Sequence, residues 1–421
     1  MDEATIGLAT FLTDTPGCQG RLRCEIPDFR VIELGDGPKR TEGKFSAARI
    51  ELTNWETNRF VQKATQRLKL KRGQVAFAGM KDKRAISEQW FSFKCKPERV
   101  QELETLEDVR ILDGPFATPR AWYAGAHTGN RFVLRVREHN GQLDGLQDIK
   151  DAINAHGGVP NFFGPQRFGS GVRPVTHLMG EAIVKGDLEE AVRLYVGNPV
   201  EGEREDAFAA RQIYEETRDP EATLEAMPVK LDFERSILER LVKQPGEWRY
   251  ALMALPRNLI NLFIHAHQSF LFNHTISARL QAGLGLNTAH IGDRVMAMEE
   301  DGSKTTLVTP ANQARVQREI DAGRATLTAP LLGMHTEMAD GTPGEIERSI
   351  VDKYGVKADL FACREMPSVA SQGLRRGILQ RVDDLDVQIV DGDPVIAFGL
   401  GRGAYATVVM REFMKAPILN Y

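Results

Sequence analysis

Val75-Ala-Phe-Ala-Gly-Met-Lys-Asp-Lys-Arg-Ala-Ile-Ser-Glu-Gln-Trp90 is the stretch from which the rest of the chain is read. Residues 74–78 form a compact apolar run, Gly79–Lys83 a turn, and 89–95 (QWFSFKC) an alternating run, so the spacing predicts strand, turn, strand. The turn carries one carboxylate, Asp82, with Lys81, Lys83 and Arg84 beside it. A carboxylate held among cations at a buried strand end is a usable nucleophile or base, although the same arrangement serves an ion-paired hairpin acid equally well.

Working outward, residues 28–34 (DFRVIEL) and 47–53 (AARIELT) read as strands, and 59–70 (RFVQKATQRLKL) as a helix ended by Gly73. Phe60, Ala64 and Leu68 recur every four positions in that helix, surrounded by Arg59, Lys63, Arg67 and Lys71. Residues 130–137 alternate, placing Phe132, Leu134 and Val136 on one face and Arg131, Arg135 and Arg137 on the other. After Gly157-Gly158-Val159-Pro160 the pattern becomes helical. Asp187 is placed to cap LEEAVRLYV, Pro256-Arg257-Asn258 opens a long apolar helix, and a further helix is expected at 311–322. Strand character returns in 386–390, 394–398 and 404–410. The simplest organisation is an α/β (α+β) body of residues 1–158 and 372–421, interrupted by a mostly helical insert, 159–371.

At 421 residues, with 42% hydrophobic and 27% charged residues, the chain is long enough for two or three domains and excludes disordered, collagenous and coiled-coil classes. Its four cysteines (Cys18, Cys24, Cys95, Cys363) form no C-x-x-C pair, which argues against a zinc site or disulfide framework and for a reducing compartment. The acidic N-terminus lacks a signal-peptide pattern, and no apolar stretch reaches membrane length, so a cytoplasmic location is expected. The net charge of −4 conceals segregation. Residues 59–99 carry twelve Lys or Arg against three acids, whereas 201–225 carry nine acids against three Arg. The basic stretch could neutralise phosphates, or be a solvated, salt-bridged face.

Other motifs fail on inspection. Gly37-Pro-Lys-Arg-Thr-Glu-Gly43-Lys44 has one residue too many between the glycines of a phosphate loop and Phe45 where Ser or Thr is needed. Gly399-Leu-Gly401-Arg-Gly403 would suit a dinucleotide only before a helix, and a strand is expected there, so it reads as a tight hairpin. His265 and His267 are two apart on a helix and cannot share a metal. Asp383, Asp384 and Asp386 read as solvated strand ends.

The segment FAGMKDKRAISEQW resembles the defining motif of the TruD family of tRNA pseudouridine synthases: Ala-Gly, a variable residue, Lys-Asp, then a downstream Gln. Five more blocks resemble the family in order: Gly20–Arg23 with Pro27–Glu33, Gly129–Phe132, Gly158–Gly169, Gln268–Asn273 and Gly403–Glu412. The resemblance implies a pseudouridine-synthase fold, a mixed, mainly antiparallel sheet in permuted order, with the family's own inserted domain. It implies a cofactor-independent isomerase, without metal, acting on tRNA at uridine 13, and a monomer is expected. Asp82 falls on the catalytic aspartate, and Arg23 stands where relatives place a basic residue, often Lys, that orients it; Lys81 adjoins it. Phe132 would stack on the uracil, while Phe29, Asn130 and Tyr405 fall on positions that contact the target nucleotide. Leu400-Gly401 replaces the usual Leu-Pro. Two rivals are a non-catalytic RNA-binding or RNA-folding protein of the same fold, and a nucleoside hydrolase or RNA glycosylase releasing free uracil. The absence of an evident second carboxylate argues against the hydrolase.

Overall fold

The computed structural model describes residues 3–169, 172–298, 300 and 302–421. Alternating sequences build strands β1 (Phe29–Leu34), β2 (Phe45–Thr53), β3 (Val75–Phe77), β4 (Ile86–Phe93), β5 (Val109–Thr118) and β6 (Gly129–Arg135). With strands Asp383–Val390 and Asp393–Gly401 they form an eight-stranded sheet. Its path runs from Asp383–Val390 through Asp393–Gly401, β6, β1, β4 and β2 to β5, and β3 also pairs with β4. Among the described residues every strand pairing in it is antiparallel except β1 with β4, which run parallel. The expected mixed, mainly antiparallel sheet is therefore observed.

Helix α1 (Thr57–Arg67) starts where the Glu56 carboxylate accepts from the backbone N–H groups of Asn58 and Arg59. Phe60, Val61 and Ala64 then pack on Ala48, Ile50, Leu52, Phe91 and Phe93 of β2 and β4. Phe60 and Phe91 are fully buried with ring centroids 4.7 Å apart, and removing each such side chain from water is worth about 1.5–3 kcal/mol. Arg59, Lys63 and Arg67 stay on the exposed side.

The chain divides into two compact units, one of Leu12–Val159 with Gln380–Tyr421, the other of the residues up to Phe11 with Pro160–Leu379. The second is organised on the helix Arg257–Gln281, which has fifteen buried residues and is packed by the helices Thr176–Lys185 and Gly341–Tyr354. Asp187 caps the helix Leu188–Val196 by accepting from the Glu190 N–H at 3.0 Å.

The structure departs from the sequence reading in several elements. Residues 404–410 are not a strand: Ala406–Met414 is a helix, in which Val408, Val409, Met410, Phe413 and Met414 are all buried. β-Branched residues favour strands locally, but burial on every side overrides that preference. The glycines at 399–403 therefore join a strand to a helix, and no hairpin forms. β5 went unread because Gly114 and Pro115 interrupt its apolar alternation. The insert also contains a four-stranded antiparallel sheet, in the order Leu374–Gly377, Ala325–Leu331, Arg294–Ala297, Thr306–Leu307. By contacts, the residues up to Phe11 and 372–379 group in one unit with Pro160–Ser371. The Ile6 carbonyl accepts from Asn273 Nδ2 at 3.1 Å and the Gly7 carbonyl from Ser277 Oγ at 2.6 Å, which ties the first segment to the central helix.

Candidate active site

The connection between β3 and β4 is fixed at both ends and open in its middle. Thr57 Oγ1, in the first turn of α1, accepts from the Lys81 N–H at 2.7 Å and lies 3.3 Å from the Lys81 carbonyl oxygen. The Ala85 carbonyl accepts from the Asn54 N–H at 2.9 Å. Between these anchors the Asp82 side chain is 69% exposed, so its carboxylate is open to a large ligand.

Arg23 Nη2 donates to Asp82 Oδ2 at 3.0 Å. The guanidinium also lies 3.9 Å from the centroid of the Phe29 ring, and the Arg23 carbonyl accepts from Arg84 Nη2 at 2.9 Å. Arg23 has φ of 58°, a left-handed conformation that costs a residue with a Cβ on the order of 1 kcal/mol. These contacts hold it there. The Phe29 ring meets Phe132 edge to face at 6.3 Å, and Phe132 stacks on Phe398 at 5.6 Å. Asp82, Arg23, Phe29 and Phe132 thus form one continuous chain of contacts, and Phe132 is 8% exposed.

Lys81 turns the opposite way from its neighbour. Its ammonium sits 3.7 Å from Glu33 Oε2, with side-chain exposures of 5% and 1%. Burial pushes the Glu33 carboxyl up and the Lys81 ammonium down from their ordinary values, and each opposes the other's shift. Glu33 Oε1 accepts from the Trp90 N–H and from Trp122 Nε1, both at 3.3 Å. Strand register places Glu33 opposite Asn130, Asn130 opposite Leu400, and Gln89 opposite Ile50, with Ile32 beside Glu88 in the parallel pair. Continuing the β1–β4 register puts Gln89 beside Glu33, so Gln89, Glu33 and Asn130 form a polar row on one sheet face.

Several buried atoms near this row have no hydrogen-bond partner: Glu33 Oε2, both amide atoms of Gln89, Asn130 Oδ1, Ser87 Oγ and His127 Nδ1. Native interiors leave few such atoms, so their concentration on and beside this sheet face marks a polar site. His127 is lowered from its ordinary value, first by burial and then by Lys81 and Arg402, which keeps its imidazole neutral.

The electrostatics also correct the expected basic face of β6. Arg137 bonds Asp28 at 2.8 Å and Glu25 at 3.0 Å, and Arg135 lies 3.4 Å from Asp393 and 3.5 Å from Asp391. Arg137 is paired with the segment before β1 and Arg135 with the Asp383–Gly401 hairpin, so these two are not a free phosphate track. The acidic segment is likewise paired internally, through Glu203 with Arg173 and Arg211 and Glu215 with Arg193.

The family model for tRNA pseudouridine synthase D (TruD) matches residues 5–413. The chain belongs to the TruD family. Its relatives include the "Probable tRNA pseudouridine synthase D" of Methanosarcina acetivorans, 37% identical with 99% of this chain and 98% of that protein covered. The protein of the same name from Pyrococcus furiosus is 33% identical, with 97% and 99% covered. A crystal structure described as TruD from Methanosarcina mazei superposes with a TM-score of 0.92 at 35% identity, covering 99% of this chain and 98% of that one. Pseudouridine synthases are isomerases, and the TruD fold is the one observed here.

Within that frame, Asp82, Arg23, Phe29 and Phe132 come together, Lys81 supports the loop from beneath, and Asn130 lies in the polar row. Tyr405 lies at the N-cap position of the helix Ala406–Met414, just beyond the strand paired with β6. The sequence reading gave no role to Glu33, Gln89 or His127. A signal existed for the first two: each puts a polar residue at an inward position of an alternating strand. His127 carries no such signal. All four cysteines are free, and no cluster of metal-ligating residues occurs among the described residues. No helix among them is long and apolar enough to cross a membrane.

Proposed function

We propose that this protein converts uridine 13 of tRNA to pseudouridine, with the Asp82 carboxylate as nucleophile. The observation that carries the reading is a highly exposed carboxylate held at 3.0 Å by an arginine that itself rests on the Phe29–Phe132 aromatic pair. In this reading residues 12–159 and 380–421 are the catalytic domain, and Pro160–Leu379 is the family's inserted domain.

The chemistry is an exchange of bonds within one nucleotide. The N1–C1′ bond breaks, a C5–C1′ bond forms, C5 loses a proton and N1 gains one, so no electrons enter or leave. A stacked uridine hides C1′ and C6, and the enzyme must extrude it at a cost of a few kcal/mol. Stacking on aromatic side chains returns about 1–3 kcal/mol per base, a role for the small part of Phe132 left exposed and for Tyr405. Asp82 attacks at C1′ or C6, Arg23 keeps its second oxygen oriented, and Asn130 Oδ1 is an acceptor suited to the uracil N3–H. The exposed cations Arg59, Lys63 and Arg67 on α1 supply phosphate contacts that set affinity and its salt dependence.

The test is Asp82→Asn assayed on a full-length tRNA transcript, with nucleosides from digested product resolved by chromatography. Pseudouridine at position 13 from the parent protein, none from Asp82→Asn, and retained tRNA binding by the variant are expected. Turnover by Asp82→Asn removes the nucleophile assignment, and release of free uracil makes the protein a glycosylase.

A further inference from the structure

The unit containing Pro160–Leu379 carries a cavity of about 330 Å³, in the size range of small-ligand sites. It is lined by Arg167, His265, Gln268, Ser269, Leu331 and Leu374, together with residues 371–373. Its floor is built rather than incidental. Gln268, 4% exposed, donates through Nε2 to the Leu332 carbonyl at 2.7 Å and to Ser371 Oγ at 2.8 Å. Both of its donors are thereby used, and its remaining capacity is as an acceptor. Ser269, fully buried, donates to the His265 carbonyl at 2.7 Å and accepts from Arg167 Nε at 3.1 Å. That bond fixes the Arg167 guanidinium and leaves its four Nη hydrogens available.

Charge and shape narrow the ligand. Among the described residues no carboxylate lies within ion-pair distance of Arg167, and no acid lines the cavity, so its one permanent cation is unneutralised and favours an anion. His265 is lowered from its ordinary value by burial and by Arg167, so it offers a neutral imidazole with one donor and one acceptor. Leu331 and Leu374 are register partners on adjacent strands and give an apolar wall against which a planar ring can lie. A cation with a fixed fork, neutral donors and acceptors, and an apolar wall suit a nucleotide: phosphate on Arg167, base edge toward Gln268 and His265, base face on the leucines.

We propose that this cavity holds a second nucleotide of the substrate RNA, unstacked from its neighbours and distinct from the uridine presented to Asp82. This rests on the reading that the substrate is tRNA. None of the six residues named belongs to the Asp82 constellation, so the cavity adds to substrate selection and leaves the chemical step alone.

Steady-state kinetics on a tRNA transcript, with full-length Arg167→Ala and Leu374→Trp, tests the idea. Leu374 is 40% exposed, so a larger ring there blocks the mouth without disturbing the core. Each variant is expected to raise KM about tenfold with kcat changed less than about threefold. Arg167→Ala should also reduce the salt dependence of tRNA binding by about one phosphate contact. Either variant retaining the parent KM, or losing activity in kcat alone, overturns the proposal. Absence of pseudouridine from the parent enzyme overturns the preceding functional reading instead, so the two failures are told apart.

Discussion

Of the cations around Asp82, the structure gives Arg23 and Lys81 different tasks. Arg23 touches the carboxylate, so Arg23→Ala should lower kcat by about 10–100-fold, a loss of about 1.4–2.7 kcal/mol of transition-state stabilisation. Arg23→Lys should recover part of it, since an ammonium keeps the charge but loses the planar stack on Phe29; equal activities for the Ala and Lys variants would show that the charge is irrelevant. Lys81 instead is buried with Glu33. Glu33→Gln leaves that ammonium without its counter-charge and should destabilise the protein by about 3–5 kcal/mol in urea titrations, while Glu33→Gln combined with Lys81→Met should restore much of the loss. An unchanged unfolding midpoint in the single variant would contradict the pairing. At this scale the sequence made Asp82 and its cationic surroundings visible. The resemblance pointed to Arg23 as the cation that orients it, but the residues alone did not show that the adjoining Lys81 turns away to Glu33, because that depends on the inward position of Glu33 on β1.

The loop that carries Asp82 is a connection between two strands and is positioned from outside itself by the first turn of α1. Thr57→Val removes the hydroxyl that bonds the Lys81 backbone and should cost about 1–3 kcal/mol of stability, with kcat falling more than KM rises as Asp82 loses its placement. Thr57→Ser keeps the bond and should behave as the parent protein; a Val variant with parental kcat would mean that the loop is positioned by its strands alone. The periodicity at 59–70 made α1 legible, as did the alternation in β1, β4 and β6. The helix Ala406–Met414 was not, because Ala-Tyr-Ala-Thr-Val-Val-Met has the local composition of a strand, and its surroundings on all sides make it helical. The same holds for the insert's four-stranded sheet, whose strands are short and whose partners are distant in sequence.

At the scale of the whole molecule, the unit containing Pro160–Leu379 has three imidazoles grouped on the Phe270 ring. His177 stacks on it at 4.9 Å, His267 at 6.2 Å, and His274 meets it at 4.5 Å while bonding the Tyr354 hydroxyl at 2.9 Å. Burial, its largest cause, lowers them to about 4, about 3 and about 4 respectively, helped by each other's charge and by Lys185 and Lys353. Depressed folded values mean that the unfolded chain takes up protons the folded unit refuses. Stability is therefore full above about pH 6.5 and declines as pH falls toward 4, each histidine contributing about 1.4 kcal/mol per pH unit in that window. Urea midpoints at pH 7, 6 and 5 should fall in that order, and a flat series would rule out neutral buried imidazoles. The first residues of the chain add a constraint of a different kind. Ile6 and Gly7 bond to residues 267 and 270 positions further on, and β6 acquires its outer neighbour only when 393–401 exist. At about 5–20 residues per second of synthesis, the leading segment waits on the order of ten seconds or more for the helix that receives it. The sheet cannot finish until residues 383–401 leave the ribosome. Neither unit can therefore mature while its own codons alone are being read, and a truncated message should yield two unfinished halves rather than one finished lobe.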